Sequence, residues 1–316
     1  MSGSDPRPEI FARFQAKNLE VKPHAGVVFV CGGKTDVKSI HPVSLRDALL
    51  REICKDESRL PPVLMAEHFK DWSEDGVYSD LLTFEQHLAE LSSVIVLALE
   101  SEGALAELGL FTAIEEFQEK VLVFVASAFY EQKSFIRLGP IKFLQDVRKN
   151  RPCVDDWMPA PTGGAPKFCP RTATELAAEY VDEIAGRAKP GTVRRQFDSG
   201  SWLHKAVLVR ELLTLLVALP LREIADYAEK AGVIIPEREL KQILYCLEKT
   251  DQVVRVERGL QTFYRATSSE SRLAVKGGSA SFDRGRLVAS VSEYYKHTDK
   301  RRYRLIRQSI EKDVAP

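Results

Sequence analysis

The stretch Ser93–Gly109, SVIVLALESEGALAELG, decides the fold. After Ser93 its first half is unbroken apolar sequence, with no alternation of polar and apolar positions. A strand of that kind is buried on both faces, as in a parallel sheet covered by helices on each side. Glu100-Ser101-Glu102-Gly103 ends the strand, and Ala104–Phe117 then reads as a helix. Strand, polar turn, helix is the repeating step of an α/β fold.

The step recurs on either side. Val27–Cys31, VVFVC, is another doubly buried strand, closed by Gly32-Gly33, and Ser44 is placed to cap a helix from Leu45 to Cys54. Pro61-Pro62 breaks the chain ahead of a strand at Val63–Phe69. Leu81, Leu82, Phe84, Leu88 and Leu91 fall at helical spacing within Tyr78–Leu91. Val121–Ala126 is a further strand and Ile141–Val147 a helix. These elements predict a parallel Rossmann- or flavodoxin-like sheet over residues 25–150, after an N-terminal arm at 1–24. Pro152–Pro170 reads as a linker or surface loop, followed by a helix at Thr172–Arg187 capped by Thr172 or Thr174, together 151–190. Trp202–Leu219, Leu221–Ala231 and Glu237–Lys249 read as three helices, and Val253–Glu257 and Thr262–Ala266 as two strands joined at Arg258-Gly259. That order is a winged helix-turn-helix over 191–275. A basic helix, Phe282–Lys312, fills 276–316.

Net charge is zero, but residues 1–150 carry 17 Lys+Arg against 23 Asp+Glu, and the remainder is correspondingly basic. Any polyanion contact therefore belongs to the C-terminal half, unless the two halves simply attract each other. The five cysteines, Cys31, Cys54, Cys153, Cys169 and Cys246, form no CxxC pair, which argues against disulfides and zinc and for a reducing compartment. The polar start is no signal peptide, and no apolar run reaches the ~18 residues of a membrane span. A soluble cytoplasmic protein, without membrane contact, is expected. The chain lacks GxGxxG after the first strand, GxxxxGK[ST], GxSxG and HExxH, which disfavours dinucleotide oxidoreductases, P-loop ATPases, α/β-hydrolases and zincins.

In open parallel sheets ligands bind beyond the carboxyl ends of the strands. Cys31-Gly32-Gly33, the Glu67–Asp71 region and Glu100–Gly103 must converge there. Gly103 opens a helix whose exposed N–H groups can face a polar ligand, with Ser101 just before it and Glu107 one turn on. Gly109 would let that helix lie close on the sheet. A carboxylate at such a mouth can act as nucleophile or base, including attack on the anomeric carbon of a nucleoside. Each residue also has a plain structural reading. Glu107 can be a helix carboxylate favoured by the dipole, Gly32-Gly33 a tight turn, Cys31 a buried strand end and Glu85 a solvated helix charge.

Val27–Gly33 (VVFVCGG), Ser93–Gly109 and Ser134–Leu144 (SFIRLGPIKFL) resemble the effector proteins of retron antiphage systems. The shared signals are the E-S-x-G-x-x-x-E-L-G string and SFI-x-x-GP, over about residues 25–147. Such effectors join a nucleoside 2-deoxyribosyltransferase-like domain to a winged-helix DNA-binding domain. The resemblance implies three partners: a retron reverse transcriptase, a noncoding RNA and the multicopy single-stranded DNA copied from it. That complex restrains a toxic N-glycosidase until phage infection. It implies no cofactor, with NAD+ as the substrate, and an oligomeric protein. It assigns catalysis to Glu107 and the glycine positions of the substrate site to Gly32, Gly33 and Gly103; Cys31, Glu85 and Ser101 are added as substrate contacts from their places in the chain, with no metal expected. The chain departs from the transferase pattern, with no aspartate in the E-S-E-G loop and no evident terminal Asn-Tyr pair. Hydrolysis is therefore expected rather than base exchange.

In the basic half, Arg238, Lys241, Gln242 and Tyr245 fall at helical spacing on the presumed reading helix, and Arg255, Arg258 and Arg265 on the wing. Glu237, Glu239 and Glu248 share that helix and oppose phosphate binding, so weak contact or docking to a protein partner fits better than operator recognition. Lys300, Arg301, Arg302, Arg304 and Arg307, interleaved with tyrosines, form the better nucleic-acid candidate. Two rival functions stay open: a non-catalytic nucleotide-sensing DNA-binding regulator, and a housekeeping deoxyribosyltransferase.

Overall fold

The computed structural model describes residues 5–11, 14–69, 76–160, 164–276 and 283–305. They form two compact units, one built from Ala25–Lys70 and Leu81–Pro190, the other from Met1–His24, Asp71–Asp80 and Gly191–Pro316.

The first unit holds a parallel sheet of five strands: β1 (Val27–Cys31), β2 (Val63–Leu64), β3 (Ser92–Ala98), β4 (Val121–Ala126) and β5 (Cys153–Asp155). Their order is β2-β1-β3-β4-β5. Because β1 and β3 are neighbours while the chain leaves them in opposite directions, a crevice opens between their carboxyl ends. Four helices cover the sheet: α1 (Leu45–Ile53), α2 (Leu81–Leu91), α3 (Glu102–Ala113) and α4 (Pro170–Ala188). Side chains alternate across each strand. Val28, Val30, Val94, Val96, Leu122 and Phe124 therefore form one core with Leu45 and Leu49 of α1 and Ala177, Val181 and Ile184 of α4. On the other face, the Phe29 ring meets Phe111 of α3 edge-on at 6.2 Å.

The three long apolar strands fall where the sequence placed them. The fifth does not. Cys153–Asp155 lies inside the stretch read as a linker or loop, yet it pairs with Phe124–Ala126. Three residues of mixed polarity at a sheet edge leave no periodic signal. Beyond Leu64 the chain turns into a 3-10 helix at Ala66–His68, not a longer strand. The helix expected from Tyr78 starts at Leu81, and α3 ends at Ala113, with Glu115–Phe117 a separate 3-10 turn. Ser44 caps α1 as expected, its Oγ accepting from Asp47 N–H at 2.9 Å. Neither Thr172 nor Thr174 caps α4, which begins with Pro170 in its first turn. Helix at 142–146 is preceded by a π turn, Arg137–Ile141, that contains Pro140.

The second unit has helices α5 (Trp202–Leu215), α6 (Leu221–Lys230) and α7 (Glu237–Lys249), then the antiparallel hairpin of β6 (Val253–Arg258) and β7 (Gln261–Ala266). Gly232 after α6 and Gly259 in the hairpin turn both have positive φ, +85° and +64°, where only glycine is unstrained. A small antiparallel sheet joins Leu19–Val21 to Arg195–Gln196 and Leu273–Val275. The expected basic C-terminal helix is interrupted: α8 (Arg284–Thr298) is capped at Asp299 and helical residues 300–305 follow. Arg307 lies outside the described residues. Among the described residues no helix is long and apolar enough to cross a membrane.

Candidate active site

The carboxyl ends of β1 and β3 set the site. Gly32 and Gly33 leave β1 with little room: a Cβ on Gly32 would sit 3.0 Å from the Cβ atoms of Ala98 and Arg46, and one on Gly33 would sit 2.8 Å from Ser44 Cβ. Such contacts need glycine whatever the backbone angles. The close approach is made to Glu100, whose carboxylate accepts from Gly33 N–H at 2.9 Å, Leu45 N–H at 2.7 Å and Arg46 N–H at 2.9 Å. The amino end of α1, where a ligand anion would otherwise be welcome, is thus held by the chain's own carboxylate. Ser101 is fixed beside it, its hydroxyl donating to Gly32 C=O at 3.0 Å and accepting from Ala104 N–H at 3.2 Å as the cap of α3. Gly103 lies exposed in the first turn of α3.

Glu107 points from α3 toward β1. The Cys31 thiol, 3% exposed at the end of that strand, lies close enough to its carboxylate that each shifts the other's pKa. Burial pushes Glu107 above the ordinary carboxylate range; the Cys31 hydrogen bond opposes this, Glu67 adds to it and Arg46 opposes it. Glu85 of α2 joins the group. Burial first, then the charges of Glu107 and Glu67, push it up to about 7. Burial also raises the Cys31 thiol well above its usual value, helped by Glu107 and Glu85, so it stays an S–H donor and is no nucleophile.

One cation faces these acids. Arg46 donates from Nη1 to Glu67 at 2.6 Å and is 6% exposed, while its Nε is buried with no hydrogen-bond partner. The guanidinium acts on Glu107, and Glu85 in turn feels Glu107 and Glu67, so the strand ends hold a group of interacting charges with raised carboxylates. Among the described residues no group of His, Cys, Asp and Glu is arranged to hold a metal.

The sequence named Glu107, Cys31 and Glu85, and the structure brings these three together. The sequence reading also placed the Glu67 region and Glu100 at the strand ends, and it missed Arg46. Glu100 carried a signal, its place directly after the apolar strand. Arg46 carried none, because its neighbours come from other elements. The sequence also misread Gly109, which is exposed with nothing within 4 Å of an added Cβ, so it serves no close approach to the sheet.

In the second unit two expected nucleic-acid contacts are not displayed. Gln242 is 8% exposed and donates to Val77 C=O at 3.3 Å. Tyr78, from the same segment, stands edge-on to Tyr245 at 5.9 Å and shares a hydrogen bond with the Cys246 thiol at 3.0 Å. This face of α7 is therefore covered by the chain's own Val77-Tyr78. Arg302 is 4% exposed; its Nη1 and Nη2 bond Glu223 at 2.8 Å each and it lies over the Tyr295 ring at 4.5 Å. It holds the helical residues 300–305 in place and has no edge left for a phosphate. Arg238, Lys241, Arg258, Lys300 and Arg301 are exposed, although Arg238 donates to Ser79 Oγ at 3.0 Å and Lys241 pairs with Glu237 at 2.6 Å.

Comparison with known proteins bears on this arrangement. The chain is 28% identical over 141 residues to the "Retron Ec73 putative ribosyltransferase/DNA-binding protein" of Escherichia coli, covering 42% of this chain and 43% of that one. It is 38% identical over 118 residues to the "Retron Ec86 putative ribosyltransferase/DNA-binding protein" of the same organism, covering 37% of each. The match thus spans less than half the length of these curated relatives. A family model described as STM3845 retron effector protein matches residues 42–255, a stretch that includes α1, Glu67, Glu85, Glu107 and the three helices α5, α6 and α7 of the second unit, ending within β6. By that match the chain belongs to the STM3845 retron effector protein family.

Proposed function

We propose that this retron effector cleaves the N-glycosidic bond of a nucleotide, NAD+ by preference, on a nucleoside deoxyribosyltransferase-like α/β domain. The observation that carries the reading is the pair Glu107 and Glu85 at the crevice of the parallel sheet, both raised by burial, one beside the Cys31 thiol and the other pushed up to about 7. The ribosyltransferase named in both relatives is glycosyl-transfer chemistry of the same kind.

In this reading a Glu107 oxygen bonds to the anomeric carbon as the carbon–nitrogen bond breaks. The bonding pair passes to the departing pyridinium nitrogen, which leaves as a neutral base and needs no proton. Water then attacks the same carbon and frees Glu107. Glu85, ionised in a useful fraction at neutral pH, takes the proton from that water. Cys31 stands beside Glu107 as a neutral thiol, and the Arg46 charge favours the ionised form of that acid.

The second unit is a winged helix-turn-helix in this proposal. With the α7 face covered by Tyr78, its task is docking to the reverse transcriptase and its RNA–DNA product, which hold an oligomeric effector inactive, rather than operator reading. Expressing the chain alone and following cellular NAD+ tests the activity. Wild type is expected to deplete NAD+ and Glu107→Gln to leave it intact; equal depletion by the two would refute the mechanism.

A further inference from the structure

The chain leaves the first unit at residue 71 and comes back at residue 81. Asp71–Asp80 belongs to the second unit, although Ala25–Lys70 before it and Leu81–Pro190 after it belong to the first. The two ends of this excursion lie together: the ring of Phe69 stands edge-on to that of Phe84, with centroids 6.0 Å apart. Its far part is anchored on α7. The Tyr78 side chain is buried, its hydroxyl shares a hydrogen bond with the Cys246 thiol at 3.0 Å, and its ring meets Tyr245. On either side of it, Val77 C=O accepts from Gln242 Nε2 at 3.3 Å and Ser79 Oγ accepts from Arg238 Nη2 at 3.0 Å. Three successive residues, 77–79, are thus held by one helix.

The same short run leads directly into a site acid. Only Asp80 separates Ser79 from α2, which starts at Leu81, and Glu85 lies in the second turn of that helix. The first turn has little hold of its own: Leu81 and Leu82 are 43% and 56% exposed, and the buried face of α2 begins at Phe84. Helix ends fray unless something fixes them, and here the fixed point next to α2 is the run held by α7. Glu85 depends on that fixing. Burial first, then the charges of Glu107 on α3 and of Glu67, push it up to about 7, and it acts in turn on the neutral Cys31 thiol of β1. A carboxyl raised mainly by burial returns toward its ordinary range once water reaches it.

We propose that Val77–Ser79 tethers α2 to α7, so that an occupant of α7 that displaces Tyr78 releases the start of α2 and lets water reach Glu85. Tyr78 is then a positioning residue, which acts on Glu85 through the chain and touches no substrate. Carbon-13 NMR titration of the glutamate carboxyls in the full chain tests the tether, with Glu85→Gln identifying the Glu85 signal. Wild type should titrate near 7. Two variants loosen the tether without altering any residue of the crevice. Tyr245→Ala removes the ring that Tyr78 meets on α7. Insertion of two glycines between Ser79 and Asp80 keeps every side chain and slackens the connection, at little cost in loop entropy. Each should lower the Glu85 midpoint by about half a unit or more, the direction that added hydration dictates. Arg302→Ala, a buried change in the second unit that leaves the tether whole, should leave the midpoint where it is. A midpoint unchanged in either loosened variant, one lowered as far in Arg302→Ala, or a wild-type midpoint already at the ordinary 4.5 would each overturn the tether. The readout needs no turnover, so a chain that shows these shifts without consuming NAD+ keeps the tether and loses only the glycosidase reading.

Discussion

The strand-end crevice and the face of α7 were both marked by the sequence as functional, and the structure treats them in opposite ways. At the crevice, acids are gathered without enough partners. Arg46 serves Glu67 and Glu107 but not Glu85, and both Glu85 and Glu107 are pushed up by burial. On α7, every polar feature is answered. Gln242 has Val77, Arg238 has Ser79, Lys241 has Glu237, and Tyr245 meets Tyr78. The lesson is that residue type and spacing nominate a site, while unbalanced electrostatics in a crevice make it chemically useful.

The sharpest way to break the comparison is Glu107→Gln, which should lower NAD+ turnover of the purified chain by about 10³-fold or more, the scale of losing a nucleophile. Its melting temperature should not fall, since the amide removes a buried charge. Full activity in this variant would place the chemistry elsewhere.

Next comes the covered face. Tyr78 is 3% exposed. Tyr78→Ala should cost about 3–5 kcal/mol in urea unfolding, as for other large buried aromatics, and Tyr78→Phe about 1 kcal/mol for the hydroxyl. A loss below about 1 kcal/mol in the alanine variant would mean that α7 is not sealed by this segment in solution.

A smaller effect separates neighbouring arginines. Arg302→Ala leaves Glu223 without its partner and should cost about 2–3 kcal/mol, with little change in single-stranded DNA affinity per folded molecule. Arg301→Ala, at an exposed position, should change stability by less than about 0.5 kcal/mol. Filter binding across a salt series, beside thermal melts, gives both quantities. The opposite ranking would restore Arg302 as a nucleic-acid contact.

The smallest effect is a pH dependence at the crevice. Glu85 titrates near 7 in the folded chain against an ordinary 4.5. At low pH it is protonated in both states and adds nothing to the pH dependence. As pH rises from about 4.5 to about 7 the unfolded chain ionises first, so stability falls with pH across that window and levels above it. Glu85→Gln should remove this fall, gaining about 1–2 kcal/mol at pH 8 and matching wild type near pH 4.5. A difference that is flat across pH would show that Glu85 is not perturbed.

What the sequence settled by itself are the properties carried within a short window. VVFVC, SVIVLAL and VLVFVA are apolar at every or nearly every position, and such runs are stable only as strands covered on both sides. The three helices and hairpin follow from local periodicity and from glycines at Gly232 and Gly259. Glu107 was legible too, because its distance from the strand end is a matter of counting. The tertiary structure alone decided the rest. Cys153–Asp155 becomes a strand only because β4 offers it an edge, and Arg302 is buried only because Glu223 and Tyr295 meet it. Arg46 joins the site from the first turn of α1, which no sequence signal marked. A raised pKa belongs to a neighbourhood and not to a residue, and the neighbours of Glu107 are brought by segments remote in the chain, which no local pattern records.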